Sequence, residues 1–301
     1  MIRRHYIVPF FAVVVVLAAI GSVGFRYWGS NHVTKQISRT TEREVKVNLD
    51  AGLGTILLTR GNSSDILTAD ADLETANDLQ DCISYSVKDQ VGYLDINTGC
   101  DTEGKNKEKR GRSGIHLGHL ESSTWKLQFT DAVPIAFDIE LGLGKADLDF
   151  TDLLVKDLTI STGASSVKLR IDKPNRKAIQ NLTIEAGLSR FHAEGLCNAN
   201  FNHMKFSGGV GTYSLDFGGK LEKEADVDIE LGLGSLTITI PGDVGAKISY
   251  EKNWLSHFDF DKADFSEREE NVYYSRNFRD ASGRLNMHIE AGLGTVKIRR
   301  E

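Results

Sequence analysis

The 301-residue sequence has little proline and little cysteine, with 4 and 3 residues respectively, although it contains 29 glycines. So little proline excludes a proline-rich disordered chain and a collagen-like one. The three cysteines show no spacing typical of a zinc site. The many glycines instead indicate places where the backbone bends or where two backbone segments approach closely.

The sequence also lacks an excess of positive charge, since 36 Lys and Arg residues against 42 Asp and Glu residues give a net charge of -6. A nucleic-acid partner is not expected, because such proteins usually carry a basic footprint. The 40% hydrophobic and 26% charged residues are ordinary for a folded chain with a sizeable core.

No common catalytic motif occurs: there is no Gly-x-Ser-x-Gly, no phosphate-binding loop, no His-Glu-x-x-His and no Cys-x-x-Cys. The Gly-x-Gly strings are followed by strand patterns rather than by the helix of a dinucleotide fold. His116 and His119 lack a nearby third ligand, and Asp147 and Asp149 read as a solvated strand face. We therefore predict no catalytic residue, no cofactor, no metal site and no enzyme.

One long apolar run is present near the N-terminus, where residues 7–25 carry no charge. As a helix these 19 residues would span roughly 28 Å, close to the hydrocarbon thickness of a bilayer. We predict a membrane anchor at residues 1–28 and a polar tether at 29–44, with a cleaved signal peptide as the alternative. Arg3 and Arg4 predict a single-pass protein with a cytoplasmic N-terminus and its bulk outside the cytoplasm.

The dominant feature is a repeat of seven copies that fit one template: apolar, polar, apolar, polar, small or Leu, Gly, apolar, Gly or Ser, polar, bulky, polar, apolar, with only Ala146 at the bulky position of the second copy. Five copies follow one another about every 22 residues, and one further copy lies on each side of them. The central glycines of the copies are Gly52, Gly142, Gly163, Gly187, Gly209, Gly232 and Gly292.

The alternation on both sides of each Gly-x-Gly indicates two short strands that each bury one face, and the glycines mark a bend or bulge between them. A unit this short cannot bury its apolar face alone, so neighbouring units must stack. The sequence predicts an all-β fold, a β-solenoid of parallel rungs, with one N-terminal transmembrane helix.

The position two residues before the central glycine is polar in every copy and predicts a column along the solenoid. Parallel rungs lie about 4.8 Å apart, so neighbouring carboxylates would repel. Within the five consecutive copies Glu and Ser alternate, which we interpret as a solvated face; a ladder of cation or sugar sites is the alternative. The column reads Asp50, Glu140, Ser161, Glu185, Ser207, Glu230, Glu290.

The repeats divide the rest of the chain into three segments. Residues 45–124 hold the first repeat and a charged loop at 101–114, residues 125–248 form a five-repeat solenoid, and residues 249–301 form an aromatic C-terminal cap with the last repeat.

Cys82 and Cys100 flank a predicted hairpin, and a disulfide between them would close a loop of about 19 residues, worth about 3 kcal/mol. Cys197 reads as a small buried hydrophobe.

A partner surface is predicted where the repeat fails. Lys107 and Arg110 lie in the charged loop, and Trp254, Phe258 and Phe260 lie in the cap. Aromatic residues are enriched at interaction surfaces, but packing within the cap is the favoured explanation for the three aromatic residues.

The strings Asp138–Gly144, Ser161–Ser166, Gly209–Gly219 and Met287–Ile298 resemble the bacterial toast-rack domain, which is related to adhesin-like repeat proteins and to cell-wall-active antibiotic response proteins. The resemblance implies a β-solenoid fold, a location in the cell envelope and no established enzymatic activity. Some relatives restrain an envelope-stress sensor kinase.

We therefore predict a membrane-anchored extracytoplasmic interaction module for a protein or polymer of the cell envelope, with a role in envelope stress signalling as one version. An adhesin or envelope-polymer-binding protein is the alternative, and a carbohydrate-active enzyme is a weaker one. Neither the partner nor the oligomeric state follows from the sequence.

Overall fold

The computed structural model describes residues 31–73, 79, 81–99, 123–251, 254–261 and 263–301. In this part the chain is built from β-strands that join in one 16-stranded sheet. The predicted transmembrane helix lies outside the described residues, and within them no helix has the length and apolar character needed to cross a bilayer.

The strands differ in length, and the long ones carry the repeat. The seven long strands are β2 (Glu44–Arg60), β7 (Ile135–Asp149), β8 (Val155–Arg170), β9 (Ile179–Glu194), β10 (Phe201–Asp216), β11 (Glu224–Ile240) and β16 (Arg284–Arg300). The shorter ones are β1 (Asn31–Ser38), β3 (Asp65–Leu73), β4 (Ile83–Lys88), β5 (Val91–Asn97), β6 (Thr124–Phe129), β12 (Gly245–Tyr250), β13 (Ser256–Phe260), β14 (Phe265–Glu269) and β15 (Val272–Ser275).

The seven long strands are parallel neighbours, in the order β2, β7, β8, β9, β10, β11 and β16. Each contains one copy of the repeat, so the predicted stack of parallel rungs is confirmed. The first and last copies join the stack directly, because Asp50 pairs with Glu140 and Glu230 pairs with Glu290. The long insertions beside these two copies leave that register intact, and their strands pair with the outer edges of the two end rungs.

Each rung is a strand with two arms that meet at the central glycine. On both sides of Gly232 the residues pair in register with β16, yet Gly232 itself drops out of the ladder. Apolar residues of both arms point inward and meet: the rings of Phe206 and Tyr213, on opposite arms of one rung, lie 5.4 Å apart at an edge-to-face angle. The core is therefore enclosed between the two arms of every rung.

The turns between rungs complete the enclosure with buried polar groups that are satisfied. The amide nitrogen of Asn175 donates to the carbonyl oxygens of Val155, at 2.7 Å, and Lys177, at 2.6 Å. Cys197 is a free, fully buried thiol, as its sequence context predicted, and burial raises its pKa to about 12. Cys82 is disulfide-bonded, whereas Cys100 lies outside the described residues.

Both ends of the stack split into separate strands that follow the two arms. At one end the first arm of β2 pairs with β5, and the second arm pairs with β6, which continues through β3 to β1. At the other end the first arm of β16 pairs with β12, and the second arm pairs with β13. Residues 31–38 thus form a strand inside the segment that the sequence assigned to a tether. This strand was not predicted, because Val33 and Ile37 are its only large apolar residues and do not give a clear alternation. Its antiparallel partner β3 is also distant in sequence.

The central glycines pack backbone against backbone. A Cβ atom on Gly142 would lie 2.5 Å from the carbonyl oxygen of Gly52, and one on Gly232 would lie 2.6 Å from that of Gly209. The same atom on Gly52 would meet nothing within 4 Å, because no earlier copy of the repeat stacks on it. The requirement for glycine therefore arises from the preceding rung.

We expect Gly232→Ala to destabilise the protein by about 1–3 kcal/mol, because the new methyl group forces two rungs apart. Gly52→Ala is the matched control, and its effect should stay within about 0.5 kcal/mol, as for a substitution that meets no neighbour. Denaturant unfolding of the two purified variants measures both. Equal losses would show that the bend itself, and not the stacking, requires glycine.

Candidate interaction surface

An exposed row of apolar side chains follows the corner of the stack. The residue after each central glycine points outward because the bend resets the alternation of the strand. We name this row the leucine ridge; its members, with their exposed fractions, are Leu143 at 52%, Leu188 at 64%, Val210 at 41%, Leu233 at 45% and Leu293 at 45%.

Strand register makes the ridge nearly continuous. Leu188 pairs with Val210, Val210 with Leu233, and Leu233 with Leu293, while Ala164 stands next to Leu143. Single exposed apolar side chains are normal on a protein surface, but contiguous ones are typical of a binding surface. The ridge is therefore the first candidate site.

A groove runs beside the ridge along the column of central glycines. It has a volume of about 900 Å³ and is lined by the central glycines, the residues before them and the polar column. The glycines lack side chains, so they leave a floor of bare backbone. We name this feature the acidic groove, after its six carboxylates: Asp50, Glu140, Glu185, Glu230, Glu290 and Glu251.

The carboxylates do not alternate with serine over the whole stack. Asp50 stands directly beside Glu140, and Glu230 beside Glu290. Alternation is thus confined to the five consecutive copies, and avoidance of repulsion does not govern the column at its ends. Glu230 is partly neutralised by the Lys205 ammonium at 3.0 Å.

One hydroxyl in the groove lining is left without a partner. The Thr162 side chain is only 8% exposed, and its Oγ1 makes no hydrogen bond within the described part of the chain. The equivalent position in the other rungs is Ala, Leu or Gly. Burying an unsatisfied hydroxyl is unfavourable, so this inward-facing side chain lowers the stability of the rung.

The carboxylates that the sequence analysis considered for acid–base chemistry are paired. Arg170 lies 3.2 Å from Asp147 and 3.4 Å from Asp149 and bridges the two neighbouring side chains. The interpretation as a solvated strand face agrees with this arrangement.

A small group at the C-terminal end of the acidic groove has the residue types of a metal site. Ligand atoms of Glu251, His288 and Glu290 lie within 4.8 Å of one another. The imidazole of His288 is already engaged, with Nε2 3.3 Å from Glu290 and Nδ1 3.2 Å from the Ser249 hydroxyl. The two carboxylates are exposed, and nothing else marks a bound ion, so we assign no metal to this group.

The aromatic residues of the cap pack on one another. The Phe258 ring stacks on Tyr250 with centroids 4.0 Å apart, and the Phe260 ring stacks on Tyr273 at the same distance. These contacts agree with the packing alternative for Phe258 and Phe260, both of which stay partly exposed. Trp254, in contrast, is 91% exposed and stays a predicted partner residue.

The remaining predicted partner residues, Lys107 and Arg110, lie outside the described residues, as do His116 and His119. The leucine ridge was not predicted from the sequence. A signal was present, since an apolar residue follows the central glycine in all seven copies. Alternation alone does not show on which side of the bend this residue lies.

The chain and its fold can be compared with known protein families and solved structures. A family model described as the N-terminal domain of toast_rack, DUF2154, matches residues 29–193. Among curated proteins no match was found.

Two crystal structures are similar to the chain. One is a candidate cell adhesion protein from Clostridium sporogenes, with 17% identity over 90% of this chain and 100% of that one and a TM-score of 0.47. The other is a candidate adhesin from Bacteroides fragilis, with 16% identity over 89% and 97% of the two chains and a TM-score of 0.35. Neither likeness is close enough to transfer a role.

We expect Thr162→Val to stabilise the protein by about 1 kcal/mol, because it removes the buried unpaired hydroxyl at nearly constant volume. Thr130→Val is the matched control: Thr130 is also fully buried, but its hydroxyl accepts a hydrogen bond from the Ala132 amide at 3.2 Å. That variant should lose about 1 kcal/mol or more. Thermal and denaturant unfolding compare them, and a destabilised Thr162→Val would show that the Thr162 hydroxyl has a hydrogen-bond partner in the folded protein.

Proposed function

The chain belongs to the family of the N-terminal domain of toast_rack, DUF2154, and from this premise we propose that it is a binding module rather than an enzyme. The partner lies along the leucine ridge. The observation that carries the proposal is the exposure of five large apolar side chains, all at least 41% exposed, on rungs that stack in register.

The dimensions of the ridge suit an elongated contact. From Leu143 to Leu293 the stack advances five rungs, or about 24 Å at about 4.8 Å per rung. The rungs form one hydrogen-bonded sheet, so the ridge is held in place before binding and little entropy is lost when a partner docks.

We extend the proposal to location. The uncharged run at residues 7–25 would anchor the chain in the membrane once, with the ridge outside the cytoplasm. The partner is then a protein of the cell envelope, and envelope stress signalling is the process that the resemblance suggests for it.

A second candidate function is adhesion to an envelope polymer. The supporting observation is that the rungs present similar groups at a constant spacing, which suits a partner that is itself a repeating chain. The two functions differ in what is captured at the ridge: a discrete protein in the first and heterogeneous carbohydrate in the second.

We expect a photo-crosslinking amino acid at Leu188 or Leu233 of the full chain, in cells, to trap a discrete protein of defined mass. Val87, which is 38% exposed at the far end of the stack, is the matched control site and should trap none. The double variant Leu143→Ser/Leu293→Ser should abolish the crosslink while leaving the unfolding midpoint unchanged, since both side chains are about half exposed.

Crosslinks of equal yield from Val87, or none from either ridge position, would contradict binding at the ridge. Heterogeneous high-mass material that is digested by glycan hydrolases would favour the adhesin function.

A further inference from the structure

We propose that the partner bound at the leucine ridge is a second copy of this chain, in a parallel dimer with its two-fold axis along the stack. This inference rests on the proposed function, since it names the partner of the same ridge. Three observations carry it: the period of the ridge, the charges on its two sides, and the end of the stack at which the chain begins.

The period of the ridge favours a partner with the same period. Its exposed side chains repeat at about 4.8 Å, because they stand on paired rungs. An α-helix advances about 5.4 Å per turn, and a β-strand places side chains on one face every ~6.7 Å, so both lose step with the ridge over roughly 24 Å. A second stack has the same spacing and stays in step along the whole ridge.

The two sides of the ridge carry opposite charges on the same rungs. Two residues before the central glycine, β7 and β9 carry Glu140 and Glu185. Three residues after it, on the other side of the ridge, they carry Lys145 and Arg190. The same positions on the alternating rungs β8 and β10 are all Ser or Thr: Ser161, Ser166, Ser207 and Thr212. Acid and base therefore occur together or not at all on these four consecutive rungs.

These four charged side chains have no partner of opposite charge within the described part of the chain. All four are exposed, and none takes part in a salt bridge there. The glutamates of β11 and β16 differ, because Glu230 contacts Lys205 and Glu290 contacts His288. Neither of those two rungs has a basic residue on the far side of the ridge. A base across the ridge thus accompanies the glutamates that are left without an internal partner.

One of the two possible two-fold arrangements of facing ridges joins these charges. An axis along the stack keeps each rung opposite its counterpart and exchanges the two sides of the ridge. Glu140 then meets Lys145 of the second copy, and Glu185 meets Arg190 of the second copy. Symmetry repeats both contacts, which places ion pairs on both sides of an apolar centre. An axis across the stack would instead set the two acidic sides against each other, where like charges oppose binding.

The same arrangement suits two chains that begin at one end of the stack. Strand β1 contains the first described residues and forms the outermost strand beyond β2. In a parallel dimer both β1 strands lie at the same end, so the anchors proposed for residues 1–28 reach one membrane. Shared anchoring also raises the effective concentration of the second copy, which allows a narrow interface to suffice.

The first test is disulfide crosslinking of the full chain in cells. Leu188→Cys should form a dimer of twice the chain mass, since equal rungs meet and a disulfide needs Cα atoms about 4.4–6.8 Å apart. Differently tagged Leu143→Cys and Leu293→Cys chains, expressed together, should form mixed dimers at most about one-tenth as often, because these positions lie five rungs, or roughly 24 Å, apart. Val87→Cys, at the far end of the stack, is the matched control and should stay monomeric.

The second test exchanges charges in the Leu188→Cys chain. Lys145→Glu/Arg190→Glu makes both sides of the ridge acidic, and Glu140→Lys/Glu185→Lys makes both sides basic. Each variant alone should lower the disulfide yield by at least about fivefold, because like charges then face each other. Expression of the two variants together should restore the yield as mixed dimers, since every acidic side then meets a basic one.

A matched pair of variants separates the ridge from net charge. Lys173→Glu/Lys177→Glu and Glu269→Lys/Glu270→Lys make the same charge changes at exposed positions away from the ridge. Each should change the disulfide yield from Leu188→Cys by less than about twofold, because distant exposed charges are screened by salt.

A monomeric Leu188→Cys chain would overturn the inference, as would mixed Leu143 and Leu293 dimers as frequent as the Leu188 dimer. Failure of the two charge variants to regain the yield together would also overturn it. The photo-crosslink from Leu233 separates this inference from the proposed function. A product that joins the chain to a different protein would overturn the dimer and leave the proposed function standing, whereas no product from any ridge position would contradict the proposed function itself.

Discussion

Contact between bare backbones at the central glycines is the constraint on which the rest of the structure depends. Because the Gly232 Cβ position lies against the Gly209 carbonyl oxygen, the rungs approach without any spacer at the bend. That approach keeps neighbouring rungs in register, and the bend at each glycine lets inward side chains on the two arms of one rung, such as Phe206 and Tyr213, meet across the core. The bend also turns the following apolar residue outward. The same glycine column therefore produces the core, the leucine ridge and the floor of the acidic groove.

Much of the fold can be predicted from the local sequence, and there are physical reasons why the rest cannot. Alternation around Gly232 was sufficient to predict two arms and a bend, and the short unit required stacking. Strand β1 was missed because Val33 and Ile37 alone do not alternate clearly, and its pairing with β3 is a long-range contact. The direct stacking of Gly52 beneath Gly142 was equally invisible, since nothing in a local pattern shows which distant segments become neighbours.

The candidate site was less predictable than the fold. The polar column was predicted from the repeat, but which of its carboxylates are neighbours depends on the order of the rungs. Once Asp50 lies beside Glu140, repulsion is tolerated at the ends of the column, and the carboxylates form one wall of a groove. The buried hydroxyl of Thr162 could be recognised only from coordinates, because a threonine before glycine is unremarkable in a strand. Phe258 and Phe260 pack on Tyr250 and Tyr273, as the cap-packing alternative expected, and their place in a partner surface stays a prediction.

The insertions between the first two and the last two rungs leave the register of the stack intact, and this has an evolutionary consequence. A stack that accepts large insertions at its joints also accepts duplication of a rung, since a new unit needs only the glycine bend and the alternating arms to fit. Each duplication would lengthen the ridge and the groove together by about 4.8 Å. The reach of such a protein can therefore be adjusted in steps of one repeat, while its ends, which divide into separate strands, remain the same.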